Sequence, residues 1–371
     1  MEIIGVVAEY NPFHNGHLYH LNKIKELYPQ SLIIVVVNGY FMQRGEISVL
    51  TKADKTKIAL DYGADLVLEL PFVFGSQSAD NFAYYSIKIL NNMRITKLVF
   101  GSECNDVQLL KKIADEQLNN PQYQENVSRY LKEGINYPTA LAKALNNSAD
   151  LNAPNDLLGI SYIKAISKVN PQIEAVTIAR TNDYHDLTSN EKIISASNIR
   201  KKITQKEAVS KYLPAYSQAL IIDGNYENLF TYLKYRILSD DISQYLTVDE
   251  GIENRIKQQL AKVNNFPDLI KAIKTKRYTY NKISRMLIHI LIGFTKSDHH
   301  NCALTYTKVL GFNQQGQKYL NAIKKAILIN LKVDKNSPQY QYEIRASQIY
   351  DLIQGTNTLA FELSNKPLKK D

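Results

Sequence analysis

The chain has 371 residues, 44% hydrophobic and 22% charged, an ordinary balance for a soluble globular protein and too long for one typical domain. Its two cysteines, Cys104 and Cys302, lie far apart, which argues against a disulfide framework or a cysteine metal cluster and fits a reducing cytoplasm. No apolar run approaches the ~18 residues of a membrane span, and Glu2 stands where a signal peptide would be basic, so neither a membrane segment nor a leader is expected. The net charge of +9 is unevenly placed. Residues 1–200 carry 19 Lys and Arg against 21 Asp and Glu, whereas residues 201–371 carry 26 against 15. A basic half on a near-neutral half points to an acidic macromolecule as partner, the alternative being a solvated lysine-rich surface.

In chain order, Ile3–Val7 reads as a strand buried on both faces, followed by a polar loop and a helix over about His17–Leu27. Leu32–Val37 is a second strand, Ala53–Tyr62 a helix, Leu66–Leu70 a third strand, Ala79–Leu90 a helix, and Leu98–Phe100 a fourth strand. Repeated βα units with short connections predict a parallel sheet with right-handed crossovers, with ligands at the carboxyl ends of the strands. The loops after Val7, Val37, Leu70 and Phe100 are therefore expected on one face. Residues 106–149 read as an irregular helical insertion over the sheet edge or a lid. Asn155-Asp156 opens an apolar helix with side chains suited to capping, Ile173–Ile178 is a fifth strand, and Ser195–Arg200 opens another helix. Beyond about residue 210, Tyr and Leu recur at helical spacing in Leu229–Leu238, Ile252–Val263 and Ile283–Ile292, with a short strand near Cys302–Val309. Two domains are expected: a Rossmann-like α/β unit over 1–210 and a mainly α, basic unit over 211–371.

Chemistry concentrates first at His14-Asn15-Gly16-His17, where strand, loop and helix start meet. Free N–H groups and the helix dipole make such a junction an anion site, and two imidazoles three residues apart add donors for phosphate oxygens. Gly16 allows close backbone approach. Attack on the α-phosphate of ATP needs positioning and electrostatic stabilisation, not a covalent nucleophile. A zinc site fits less well, because no third ligand or glutamate base sits beside the pair.

The run GVVAEYNPFHNGHLYH resembles the HxGH signature of the nucleotidylyltransferase superfamily, and Ile194–Arg200 is similar to its second, serine-rich signature ending in Ile-Arg. With the runs NGYFMQRGE, ADLVLELP, FGSE, PNDLLGISYIKA and TKRYTY, the chain resembles the tRNA(Met) cytidine acetate ligases. The resemblance implies an HxGH-type sheet and a two-step reaction. Acetate and ATP give acetyl-adenylate, and the acetyl group passes to N4 of the wobble cytidine of elongator tRNA(Met). It assigns catalysis to His14 and His17. It assigns ATP contacts to Val7, Ala8, Glu9, Tyr10, Asn11, Pro12, Phe13, His14, Asn15, Gly16, His17, Leu18, Tyr19 and His20, and to Gly101, Asn155 and Arg180. Ser195, Ser197 and Arg200 sit at a helix start where hydroxyls and N–H groups can hold phosphates. Asp156 stands where the family has a second asparagine, and no role is carried onto it.

The loop Gly39–Glu46, with Gln43 and Arg44, can supply the acetate site. Magnesium is expected with the triphosphate, without a dedicated protein site. Between Asp268 and Asp298 there is no acid, and Lys271, Lys274, Lys276, Arg277, Lys282 and Arg285, interleaved with Tyr278 and Tyr280, suit contacts to RNA phosphates and unpaired bases. His185-Asp186 reads as a structural hydrogen-bonded pair. No obligate protein partner is implied. The competing reading is a small-molecule adenylyltransferase, which would leave the basic segment without a task.

Overall fold

The computed structural model describes residues 1–145, 153–180 and 192–370. Its centre is a seven-stranded sheet of β1 (Ile3–Ala8), β2 (Leu32–Asn38), β3 (Leu66–Leu70), β4 (Lys97–Ser102), β5 (Glu174–Ala179), β6 (Val309–Phe312) and β7 (Leu368–Lys369), in the order β5-β4-β1-β2-β3-β6-β7. The first five strands are parallel. Sequence order runs outward from β1 in both directions, so a topological switch point lies between β1 and β4, where open α/β sheets bind ligands.

Burial on both faces explains the strand sequences. In β2, Ile33, Val35 and Val37 pack with the helices Asn15–Leu27 and Lys52–Asp61 on one face. Leu32, Ile34 and Val36 pack with the helices Ala79–Asn92 and Pro154–Val169 on the other. Both side-chain parities must be apolar, hence the unbroken run LIIVVV. Residues 107–144 form the helices Val107–Asn119, Pro121–Lys132 and Tyr137–Ala144. The first packs on the helix Pro154–Val169 and β5, which makes this insertion an edge cover.

The C-terminal part is helical as expected, with long helices at Tyr226–Ser239, Tyr280–Ile292 and Pro338–Gln354. It also extends the sheet: β6 pairs antiparallel with β3, and β7 lies beside β6. Leu229, Leu269, Leu287 and Ile353 share one core with Ile34, Leu68 and Leu98.

A buried charge cluster joins the two parts. The Lys52 ammonium, 0% exposed, lies 2.7 Å from Glu69 on β3, 2.6 Å from Glu343 and 2.6 Å from Glu362. Lys308, just before β6, lies 2.6 Å from Glu362. The Tyr40 hydroxyl donates to Glu362, and the Phe72 N–H donates to Glu343. Burial raises the Glu343 carboxyl well above its ordinary range; at Glu362 the two ammonium groups overcome burial and hold it low. Among the described residues this is the only group of three carboxylates close enough to share a metal, and lysine ammonium groups already occupy its centre.

Removing one member of a buried charge cluster leaves the others unpaired, at a cost of about 3–5 kcal/mol. Lys52→Met is therefore expected to lower stability by that order in urea unfolding. Glu343→Gln should cost less, because burial raises that carboxyl to about 7 and leaves it only partly ionised near neutral pH.

Candidate active site

The helix Asn15–Leu27 begins with histidines where helices usually carry a hydroxyl and a carboxylate. His14 is the N-cap, and its Nδ1 accepts from the Gly16 N–H at 3.0 Å. His17 Nδ1 accepts from the His14 N–H at 3.2 Å, which closes a reciprocal capping box. With both Nδ1 atoms as acceptors, each neutral ring keeps its proton on Nε2 and offers an N–H donor. Burial, reinforced by the Arg180 and Arg200 charges, lowers His14 to about 3. Burial and the neighbouring His14 lower His17 well below the usual imidazole range. The two rings lie 3.9 Å apart. One turn on, burial and Arg180 lower His20 to about 4, and its buried Nε2 has no hydrogen-bond partner among the described residues.

Gly16 serves this cap directly. A Cβ there would stand 2.8 Å from the His14 ring, so the expected close approach at Gly16 is first an approach of that ring.

Across the switch point, Gly101 lies near the end of β4 and Arg180 just past β5. Glu103 accepts from Asn155 Nδ2 at 2.5 Å and from the Asp156 N–H at 3.0 Å, and stands 3.8 Å from Arg180 Nε. That nitrogen is buried without a hydrogen bond. The expectation that Asn155-Asp156 caps its own helix is corrected: Ala153 is the N-cap, without a side-chain bond, and Glu103 serves the first turn from the β4 side. Asp156 is buried and accepts from Ser102, the Glu103 N–H and the Cys104 N–H, a structural role.

The loop after β2 is held rigidly. Glu9 accepts from Asn38 Nδ2 at 2.5 Å and from the Gln43 N–H at 2.7 Å. Lys55, lowered to about 7 by burial, donates to the Gly39 carbonyl at 2.8 Å. Arg200 Nη2 lies 2.6 Å from both oxygens of Glu46, and its Nη1 donates to the Asn11 carbonyl. Ser195 caps the helix Ala196–Thr204 by accepting from the Asn198 N–H.

These elements enclose a cavity of about 240 Å³. It is lined by Val7, Ala8, Glu9, Tyr10, Asn11, His14, Gly16, His17, Tyr19, His20, Gly101, Asn155, Arg180, Ser195, Ser197 and Arg200, with Gln43, Arg44 and Glu46 from the loop. Four residues of the first segment stand behind the wall instead. Phe13 stacks on Tyr62, Leu18 packs in the core, Pro12 is buried after the cis Asn11–Pro12 bond, and Asn15 donates to the Lys192 and Lys211 carbonyls. Sequence reasoning missed Phe82, Phe100, Leu158 and Tyr162, which form an apolar wall. The i, i+4 spacing of Leu158 and Tyr162 was their only signal, and it reads equally as core. His185 and Asp186 lie outside the described residues.

The basic segment divides. Lys271, Lys274, Lys276 and Arg277 are exposed; Lys271 pairs with Asp268 and Arg277 with Glu250. The expectation that Tyr278 stacks on bases is corrected. It is 6% exposed, its hydroxyl donates to the Asp249 carbonyl, and Lys282 covers its ring at 4.4 Å. Tyr280 is 42% exposed. Arg285 lies at the loop: a Cβ on Gly45 would stand 2.4 Å from its backbone nitrogen.

A family model described as HIGH Nucleotidyl Transferase matches residues 1–364. A protein of Caldicellulosiruptor saccharolyticus named tRNA(Met) cytidine acetate ligase is 37% identical, covering 95% of this chain and 94% of its own. One of the same name from Geobacillus sp. is 37% identical over 99% and 100%. Thermotoga maritima TmcAL, solved with alpha-thio ATP, superposes with a TM-score of 0.88 at 28% identity, over the full length of both chains. The chain belongs to the tRNA(Met) cytidine acetate ligase family.

The histidine geometry makes a spectroscopic prediction. Imidazole nitrogen NMR at neutral pH should show His14 and His17 as neutral Nε2–H tautomers. Because folded His14 titrates near 3 and the unfolded residue near 6.5, the unfolded chain takes the proton first. Stability should be full above pH 6.5 and decline as pH falls toward 3, and His14→Asn should reduce that decline in acid unfolding curves.

Proposed function

We propose that this chain binds ATP in the cavity at the switch point and uses it to activate acetate. It then transfers the acetyl group to N4 of the wobble cytidine of elongator tRNA(Met). Acetate oxygen attacks the α-phosphate, forming acetyl-adenylate and expelling pyrophosphate. The cytidine amine then attacks the acetyl carbonyl and AMP leaves with the electron pair of the broken C–O bond. The observation that carries this reading is the set of converging donors. The Nε2–H groups of His14 and His17 join His20 Nε2 and Arg180 Nε, both buried without a hydrogen bond, on residues that line one cavity.

These donors suit the charge that spreads over phosphoryl oxygens in adenylate formation, and they are preorganised by bonds that also build the helix. Ser195, Ser197 and Arg200 lie where the leaving pyrophosphate would be held; Arg200 would exchange Glu46 for phosphate oxygens. Gly101 beside Arg180 leaves the end of β4 open for the nucleoside. Gln43 and Arg44 are the candidates for the acetate carboxylate. Glu9 and Glu103 are engaged by hydrogen bonds, so magnesium would rest chiefly on the nucleotide's own oxygens.

Residues 1–210 would then serve ATP and residues 211–371 the RNA, through exposed Lys271, Lys274, Lys276 and Arg277. A cytoplasmic location follows from such a substrate; no helix among the described residues is long and apolar enough to cross a membrane. The metabolite adenylyltransferase reading is not favoured, because the relatives named above are tRNA ligases.

Incubation with ATP, labelled acetate and tRNA transcripts tests the reading: label should reach only a transcript with the elongator CAU anticodon loop. AMP appearing on a metabolite, with unlabelled RNA, would sink it. His14→Ala and His17→Ala should each slow acetate-dependent pyrophosphate release by about 10²–10³-fold, while tRNA affinity changes less than twofold. Lys274→Glu with Lys276→Glu should weaken tRNA binding and flatten its salt dependence.

A further inference from the structure

Side-chain parity divides the cavity at the end of β1. In β2, Leu32, Ile34 and Val36 face the helices Ala79–Asn92 and Pro154–Val169, and Asn38 is next in that series. In β1, Val7 packs with the same core as Phe100 of the neighbouring β4, and Glu9 follows it on that side. The bond from Asn38 Nδ2 to Glu9 Oε1 joins the two series. His14 and His17 belong to the start of the helix on the opposite face.

Two polar groups on the Glu9 side are unused. Both bonds to Glu9, from Asn38 Nδ2 and from the Gln43 N–H, fall on Oε1; among the described residues Oε2 accepts none. Tyr162 lines the cavity and is only 4% exposed, yet among the described residues its hydroxyl makes no hydrogen bond. A buried hydroxyl without a partner is costly, which points to a ligand that supplies one. Burial first, then the charge of Glu9, raises the Tyr162 phenol, so it stays a donor. Its ring lies 5.7 Å from Phe100. Ser161 donates to Asp80 at 3.0 Å, which ties the first turn of Ala79–Asn92 to this helix and brings Phe82 into the same wall.

An acceptor and a donor among aromatic rings match the edge of a 4-aminopyrimidine, whose amine donates and whose N3 accepts. A carboxylate oxygen facing inward repels an acetate ion or a phosphate but welcomes an amine. Adenine presents the same edge, and in the reading above its place is beside Gly101 and Arg180. We propose that Glu9 Oε2 and the Tyr162 hydroxyl hold the amine and N3 of the target cytosine, and that Glu9 takes the amine's proton during acetyl transfer. This rests on the reading that RNA is the acetyl acceptor. The N4 electron pair forms the bond to the acyl carbon. The bond from that carbon to the adenylate oxygen breaks, and its electrons leave with AMP. The proton shed by N4 passes to Glu9 Oε2 and from there to water. Tyr162 fixes the direction in which the amine points.

The test uses the full chain, wild type, Tyr162→Phe and Glu9→Gln, with anticodon stem-loop RNAs carrying cytidine or 3-deazacytidine at the wobble position. Acetate-dependent exchange of pyrophosphate into ATP reads the first step, and acetyl transfer in a single turnover reads the second. Tyr162→Phe should slow transfer to cytidine about tenfold more than it slows exchange. On 3-deazacytidine, which keeps the amine and lacks the N3 acceptor, Tyr162→Phe and the wild type should transfer at the same rate. Glu9→Gln, whose amide oxygen can keep both bonds of Oε1, should slow transfer about 10²-fold more than exchange. An equal loss of Tyr162→Phe on both RNAs overturns the pocket. Losses of matching size in the two steps would place adenine, acetate or magnesium at these groups and overturn it as well. If the wild type acetylates no RNA, the functional reading fails by itself. The pocket is then judged by fluorescence anisotropy with the same two stem-loops, and equal affinities overturn it.

Discussion

The contact on which the architecture depends is the Lys52 ammonium among three carboxylates. Glu69 comes from β3 in the nucleotide-binding part, whereas Glu343 and Glu362 come from two C-terminal helices nearly three hundred residues away in sequence. Buried charges of this kind contribute little net stability, but they tolerate few alternative arrangements. Only one docking of the C-terminal helices brings both carboxylates to Lys52. The same docking sets β6 on β3 and brings the Tyr350 hydroxyl to the Ser48 carbonyl. The loop after β2 is thus held from beneath by Lys55 and Glu9, and from the far side by the C-terminal helices.

A cavity wall built this way makes the two halves one machine. The lining of the cavity comes from the first two hundred residues, yet the loop at its edge abuts Ser284 and Arg285. In the proposed reading, the reacting groups of the two successive steps would meet without a moving arm. A reactive acyl-adenylate gains from this, since a short path to the acceptor leaves less opportunity for water.

Much of this was legible in the sequence for a local reason. Strands buried on both faces must be apolar at every position, so Leu32–Val37 and Leu66–Leu68 announce themselves, and His14-Asn15-Gly16-His17 carries its chemistry within one turn. What stayed hidden depends on partners distant in sequence. Lys52 and Lys55 look like the solvated face of a helix, and Glu69 interrupts an apolar strand for no local reason. All three are buried because their counter-charges or carbonyl acceptors arrive from elsewhere. Tyr278 failed as a stacking residue for the same kind of reason: spacing shows that a tyrosine lies among lysines, but not that its hydroxyl finds Asp249 and Glu250. Phe82 and Phe100 come from different βα units, and only the closed sheet makes them neighbours of the site.

The imidazole cap sets how the site answers to the acidity of the medium. The rings at His14 and His17 are uncharged, because burial and nearby arginines suppress their basicity. Each Nδ1 is already committed to a backbone N–H, so a proton added there would cost the ring its place at the start of the helix. Neutral donors held in this way keep their direction across the range in which a free histidine would change charge.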